Sequence, residues 1–356
     1  VPRPPAEFIT HSLYKGQVQI RELVKSHGYR VMDPKHGREW ELSPSATGLT
    51  GRMEKGEGLM MYAMSEAMKY MDRQLQNKSV KSAIDDEKFN LKELFIKARQ
   101  AHRDKSALGR RVGTESHLYV KELLTAMKKA QKHRTQFIVP PPPRAADLAN
   151  EFTESYQNIL AFYKIDKIEE AEKFRATIGR DLEVRALLWN ESLMVQKACE
   201  AAREFFLEAA KQGVLRVWGV EQLVHSRKLF VSGRFDSILE FVKPFTWRGY
   251  LIPVGVYLVD FKTSNPSVDY PMGIYPEHLA QLGLYDVMYC EEFPEVMDRI
   301  TGHLILGSSK VGTGFHPYVS KARDRNRQWG MALAPVVEFM HQGEKELRGL
   351  NLYGGT

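Results

Sequence analysis

Val231-Ser232-Gly233-Arg234-Phe235-Asp236 and Val259-Asp260-Phe261-Lys262-Thr263-Ser264 are the stretches on which the fold turns. Both read as apolar strands that end in charge. Successive strand side chains point to opposite faces, so Asp260 and Lys262 share a face while Phe261 points away, into a core. A carboxylate and an ammonium make poor packing at the end of an apolar strand, because each is costly when buried alone. They suit a place where a divalent cation and a phosphate also sit. Hydrolysis of a phosphodiester needs a metal to polarise the phosphoryl oxygen, a water of lowered pKa and stabilisation of the leaving charge. Two aspartates offer hard oxygens to Mg²⁺ or Mn²⁺. A lysine beside them orients the water or steadies developing charge. A bare Asp-x-Lys is more often a surface ion pair on an edge strand, so the rest of the chain has to decide.

Around this segment, residues 214–225, 229–242 and 250–261 are rich in Val, Leu, Ile, Phe and Tyr with Gly or Pro between them, which predicts strands. Residues 277–291 return to helical periodicity, 299–308 and 314–319 read as two more strands, and 321–346 as a closing helix. Upstream, residues 28–42 predict a β-hairpin about Pro34-Lys35-His36-Gly37, followed by a polar turn from Ser43 to Gly48. Helical spacing runs through 55–76, where the methionines read as core filler. Further helices are expected at 91–104, from Gly113 to about 131, at 145–163 and at 181–212, with Pro140 to Pro143 as a stiff connector. The order predicts an α/β or α+β fold: a mixed sheet flanked by helices, with a large N-terminal helical region. The expected boundary falls at 212, with residues 1–212 mainly helical and 213–356 forming the core.

Length and composition narrow the class. The 356 residues suffice for one large domain or two moderate ones. Mean hydropathy is −0.39, and no apolar run approaches the roughly 20 residues that span a bilayer. The opening Val-Pro-Arg-Pro-Pro does not resemble a secretory signal. These features predict no membrane partner and a bacterial or phage-infected cytoplasm, with the mitochondrial matrix as the alternative. Cys199 and Cys290 are the two cysteines, too few for a disulfide framework, a zinc ribbon or a four-cysteine iron–sulfur cluster. A net charge of +7 suits a polyanionic partner, though on its own it also fits plain solubility.

Five motifs then fall in one order: Gly113-Thr114-Glu115-Ser116-His117, Glu221 in a strand, Gly233-Arg234-Phe235-Asp236, Asp260-Phe261-Lys262-Thr263-Ser264, and Gln281-Leu282-Gly283-Leu284-Tyr285. In this the chain resembles the RecB-like branch of the PD-(D/E)xK nucleases, over roughly residues 40–345. Ser43-Pro44-Ser45-Ala46-Thr47 and the strand ending at Lys310 are weaker echoes of its phage-type and mitochondrial-type members. The resemblance implies a restriction-endonuclease-like fold and a metal-dependent DNA exonuclease, acting on single strands or free ends in replication, recombination or repair. A structure-specific or flap endonuclease of the same fold is the first alternative. A catalytically silent DNA-binding recombination accessory protein is the second, and a non-nuclease soluble enzyme the third.

By the same resemblance Asp236, Asp260 and Lys262 are catalytic. His117, Asp236, Asp260 and the Phe261 carbonyl would ligate Mg²⁺ or Mn²⁺, with no iron–sulfur cluster. Glu221 would reach the metal through water or orient the site, with a plain strand-surface carboxylate as the equal alternative. Gln281 and Tyr285, four apart on one helix face, would bond the DNA backbone or hold Lys262, against a purely structural cap. Arg110, Arg111 and Lys310 are the basic residues expected to meet DNA. The Tyr and Met side chains of 59–72 would stack bases or, more simply, pack a core. A single-strand-binding or recombination protein is a possible partner. One departure stands out: Asp236 and Asp260 are further apart than in the family's usual hairpin. The segment Lys243-Pro244-Phe245-Thr246-Trp247-Arg248-Gly249-Tyr250 reads as an extended tip that either stacks on a strand end or is merely a longer loop. The helical insert from about 164 to 212 is also long.

Overall fold

The computed structural model describes residues 8–23, 28–50, 91–149, 182–264, 273–309 and 314–332, with backbone alone at 23, 50, 91–111, 182–188, 264 and 309. The class is mixed: a four-stranded sheet, a five-stranded sheet, a two-stranded ribbon and several helices. Among the described residues no helix is long and apolar enough to cross a membrane.

The described residues open with an antiparallel meander, of which the sequence predicts only the second half. Strands β1 (Phe8–Leu13), β2 (Val18–Leu23), β3 (Tyr29–Asp33) and β4 (Arg38–Ser43) pair in that order. The expected hairpin about residues 34–37 joins β3 to β4, where Gly37 takes φ 66° to close the turn. Alternation decides the faces: Val18, Ile20, Tyr29 and Val31 are buried together with Phe230, while Gln19, Arg21, Arg30 and Met32 turn outward. The region before residue 212 is therefore not mainly helical at its start.

The main sheet has the order β11-β10-β9-β6-β5. Its members are β5 (Leu215–Ser226), β6 (Val231–Phe241), β9 (Gly255–Ser264), β10 (Ile300–Ser309) and β11 (Phe315–Ser320). Only β9 and β10 are parallel; helix α4 (Pro276–Glu292) joins them, as a parallel pair requires. The other neighbours are antiparallel. One face of the sheet packs Phe235, Leu258 and Ile305 against Leu282, Tyr285 and Met288 of α4, and against Ala46 and Leu49 of the short helix α1 (Ala46–Thr50). On the other face Phe205 and Phe206 of α3 (Leu182–Lys211) meet Phe245, Phe261 and Phe315 edge-on or tilted, with centroids 5.1–6.3 Å apart.

The long connection between Asp236 and Asp260 has a structural use. It contains β7 (Phe245–Trp247) and β8 (Tyr250–Ile252). Trp247 is buried, its Nε1 donates to the Phe315 carbonyl at 2.9 Å, and its ring meets Phe205 at 5.5 Å. The extended tip thus closes the aromatic core, and its tryptophan is not a free stacking platform. Arg248, at the turn, pairs with Glu204 at 2.8 Å.

Two further expectations change. Helix α2 runs unbroken over Leu91–His133, so Gly113 lies inside it and does not start a helix. Contacts divide the chain into one unit of Val1–Met53, Tyr119–Pro142 and Ala198–Thr356 and another of Glu54–Leu118 and Pro143–Lys197, not at residue 212. The reason is packing in the first unit. There the end of α2 uses Gln131 to bond the edge of β5, at Leu215 (2.9 Å) and Val217 (3.0 Å), and the end of α3 supplies Phe205 and Phe206. The helix expected at 55–76 and the stacking residues of 59–72 lie outside the described residues. The helix expected at 145–163 is described, and helical, only over 145–149.

Candidate active site

The site grows from an irregularity in β6. Phe235 and Ile238 both face the α4 core although they are three positions apart. Strict alternation would put them on opposite faces, so the pleat breaks at Asp236–Ser237. The β6–β9 ladder stops at the same place, with Ser237↔Val259 its last pair. Asp236 is the first residue beyond that pair, and its Oδ2 accepts the N–H of Phe261 at 2.6 Å. The carboxylate bridges the two strands where the backbone ladder has opened. An irregularity that re-aims a strand side chain is a recurrent device beside functional sites.

On β9 the expected alternation holds. Phe261 is buried against Phe206, and Asp260 lies on the α4 side with Lys262 two positions on. The Lys262 ammonium pairs with Asp260 Oδ2; Asp260 is 3% exposed, and the Lys262 side chain 20%. Phe261 donates its N–H to Asp236 Oδ2.

Helix α4 covers this strand end. Gln281 Nε2 donates to Tyr285 Oη and to Thr47 Oγ1, each at 2.9 Å, and the two hydroxyls are 3.2 Å apart. Tyr285 is buried, so its ring offers no stacking surface. Burial first, and then the charge of Asp260, push the Tyr285 hydroxyl far above its ordinary pKa; it is a neutral hydrogen-bonding group at any physiological pH. The motif glycine has its explanation here: a Cβ on Gly233 would lie 2.5 Å from Tyr285 Cε1 and 3.1 Å from Ala46 Cβ. Thr47, the partner that sequence reasoning missed as a site residue, stands at the end of Ser43-Pro44-Ser45-Ala46-Thr47. That segment is fixed to β6 by Ser232 N–H donating to the Pro44 carbonyl at 3.0 Å and by a Ser45–Ser232 bridge.

Glu221 falls between the pairs Val220↔Ser237 and Gln222↔Phe235, which sets it level with Asp236 on the next strand. Its φ of 52° is left-handed, a strained choice for a non-glycine residue that costs about 1–3 kcal/mol. Its Oε2 lies 3.9 Å from Arg234 Nη1, and its carbonyl accepts from the same nitrogen at 3.3 Å. Arg234 also pairs with Glu22 of β2. Glu221 therefore stands in an ion cluster along the flank of Asp236.

His117 lies half-buried on α2 in the second unit. Arg110 and Arg111 lie on the same helix, where the backbone alone is described, and Lys310 lies outside the described residues. The structure thus brings together Asp236, Phe261, Asp260, Lys262, Gln281 and Tyr285, sets Glu221 beside them, and adds Thr47.

The donor set fits a hard divalent ion. Among the described residues no group of three or more His, Cys, Asp and Glu side chains gathers to hold a metal. Mg²⁺ does not require one, since it keeps several waters and is commonly held by one or two carboxylates together with substrate phosphate. Asp236 and Asp260 could provide that pair. Cys199 and Cys290 are both buried, and burial pushes the Cys290 thiol up to about 12, which leaves it inert as a nucleophile or thiolate ligand near neutrality.

No family model matches the chain, and no curated protein does. The crystal structure of SSO0001 is similar to it at 14% identity, covering 59% of this chain and 84% of that one with a TM-score of 0.18. A likeness so distant carries no argument about the fold or the site, which rest on the strands and side chains described above.

Proposed function

We propose that this chain is a metal-dependent deoxyribonuclease with a restriction-endonuclease-like core, acting as an exonuclease on single strands or free ends. One observation carries the reading. Asp236 and the Asp260–Lys262 pair stand side by side within adjacent strands, where the ladder between those strands opens. The ordered motifs give that trio its chemical meaning. Mg²⁺ or Mn²⁺, when bound, supplies positive charge to a phosphoryl oxygen and lowers the pKa of a water.

Asp236 and Asp260 would hold the ion with carboxylate oxygens. The Phe261 N–H keeps Asp236 aimed, which limits the reorganisation needed at reaction. Lys262 starts paired with Asp260. Substrate phosphate competes for its ammonium, which then lies next to the oxygen where negative charge grows. Gln281, Tyr285 and Thr47 satisfy one another, and so back β9 with a neutral, hydrogen-bonded wall whose Gln281 and Tyr285 are buried. A flap or structure-specific endonuclease would use the same residues; a silent DNA-binding protein would not need Lys262.

The test is digestion of end-labelled linear and circular DNA, single-stranded and duplex, with Mg²⁺ or Mn²⁺ and with EDTA. The expected result is loss of linear substrate, survival of circles, and no reaction in EDTA. Lys262→Ala should lower the rate on the order of 100-fold or more while leaving binding nearly intact. Absence of hydrolysis on every DNA and RNA substrate would overturn the proposal.

A further inference from the structure

The N-terminal sheet has a second face that none of the site residues uses. Its inward side packs on Phe230 and Leu223. Its outward side is built by register: Thr10↔Arg21, Arg21↔Arg30 and Arg30↔Leu42 make one row across all four strands. Ser12↔Gln19 and Gln19↔Met32 make the row beside it, and Phe8 opens β1 on the same face. No carboxylate occurs among these paired residues; on β4 the ladder shifts opposite Met32, where Glu39 and Trp40 fall. Glu22, by contrast, turns inward to His11 and Arg234.

Two features of this face are unfavourable for a free surface. Arg21 and Arg30 sit directly opposite one another on neighbouring strands, a like-charge pairing that costs stability. Among the described residues neither arginine lies in an ion pair with a carboxylate, although the nearby Arg38 does, with Glu41 at 2.9 Å. Phe8 and Leu42 are large apolar side chains left 42% and 39% exposed. Both arginines are nonetheless held in place. The Arg21 guanidinium lies over the Trp40 ring, 3.7 Å from its centroid, and Arg30 Nη1 donates to the Trp40 carbonyl at 3.4 Å. A guanidinium stacked on an aromatic ring keeps its N–H edge free for an oxyanion. Two fixed guanidinium groups, an aromatic ring, exposed apolar side chains and hydroxyls on one flat sheet face match what a flexible polyanion with stacking bases requires.

We infer that the outward face of the β1–β4 sheet, centred on Arg21, Arg30 and Trp40, binds single-stranded nucleic acid. It deepens the nuclease reading and rests on it for the identity of the polyanion. The β4 strand of this sheet runs straight into Ser43-Pro44-Ser45-Ala46-Thr47, whose last residue bonds Gln281. The sheet is thereby tied through the chain to the segment that backs the proposed catalytic residues.

The experiment uses the full chain in EDTA, so that hydrolysis plays no part. Fluorescence anisotropy of a labelled oligothymidylate is titrated with wild type and with Arg21→Ala/Arg30→Ala over a range of salt. Both arginines are surface residues of the sheet, and a melting curve checks that the variant folds as wild type. The double variant should bind at least 10-fold more weakly. The slope of log K against log salt should be shallower by about 1.4, the value for two phosphate contacts on a single strand. Unchanged affinity and slope would overturn the inference, as would an equal loss of binding to polyglutamate, which would make the face a generic acidic-peptide site. The two readings fail separately: a chain that cuts DNA in Mg²⁺ with the double variant binding normally loses only this surface. A chain that cuts nothing but binds through Arg21 and Arg30 loses only the enzyme.

Discussion

His225 is fully buried beneath the site, with its Nδ1 3.0 Å from Ser232 Oγ and its ring edge-on to Phe230 at 5.7 Å. Ser232 Oγ in turn lies 2.9 Å from Ser43 Oγ, so the imidazole anchors the start of the segment that ends in Thr47. Burial lowers its pKa from 6.5 to about 4; Asp33 opposes that shift, and the nearby Arg38 adds to it. The unfolded chain therefore binds a proton that the folded chain refuses between these two values. The stability that neutral His225 contributes is complete above about pH 6.5, falls as pH drops towards 4, and is constant below it, a loss of roughly 3 kcal/mol. Glu292, raised by burial, works in the opposite sense, so the comparison has to be made between variants. Urea unfolding at pH 7, 6 and 5 should show wild type losing stability with a slope that His225→Gln lacks. Equal slopes in the two proteins would refute the assignment. Nothing local in Val220-Glu221-Gln222-Leu223-Val224-His225 reveals this role, because it depends on Ser43, far off in sequence. The alternation of Asp260 and Lys262, by contrast, is local and could be read directly. The broken pleat at Asp236 could not, since it follows from how β6 meets both α4 and β9.

Helix α4 and helix α5 (Arg323–Met331) form the element pair on which the site leans. They touch backbone to backbone: a Cβ on Gly283 would collide with the Asn326 carbonyl, and one on Gly330 would lie 2.6 Å from Leu284 N. Asp286, one position after Tyr285, ties them. It accepts from Arg323 Nε at 2.6 Å and Nη2 at 2.8 Å, and it lies 3.1 Å from His303 Nε2 of β10. Burial alone would raise its pKa, but the hydrogen bonds from Arg323 and His303 win and hold the carboxyl well below the usual carboxylate range. Removing Asp286 takes the anion from the fully buried His303 and the largely buried Arg323, so Asp286→Ala should cost about 3–5 kcal/mol. Chemical denaturation would read this directly, and a loss below 1 kcal/mol would show the network to be dispensable. The helices themselves were legible from their 3.6-residue periodicity. The lock between them was not, because Gly283 reads as one more residue of a motif and nothing near Arg323 in sequence points to Asp286. Strands β1 and β2 escaped notice for a different reason. Phe8 to Leu13 form an edge strand that is largely exposed, so apolar alternation is weak there and only Val18 and Ile20 signal a core.

At the scale of the whole molecule, the proposed metal site would couple folding to metal. Asp236 and Asp260 are brought together by three segments distant in sequence: β6, β9 and the α4 wall behind them. The unfolded chain has no such pairing, so an ion held by both carboxylates binds the folded form preferentially. Linkage then makes stability rise with free metal as RT ln(1 + [L]/Kd), about 2.7 kcal/mol at one hundred times Kd. Simple screening is a competing cause, because the chain carries +7 and any salt relieves its self-repulsion. Matched ionic strength removes it: melting is followed in rising Mg²⁺ with monovalent salt lowered to compensate. Wild type should gain thermal stability across that series and return to its starting value on adding EDTA. Asp236→Asn/Asp260→Asn should melt at one temperature throughout, and Arg21→Ala/Arg30→Ala should respond as wild type does, since the sheet face takes no part in holding the ion. If the double asparagine variant gains as much as wild type, the metal binds elsewhere and the pairing of these two strands has another purpose.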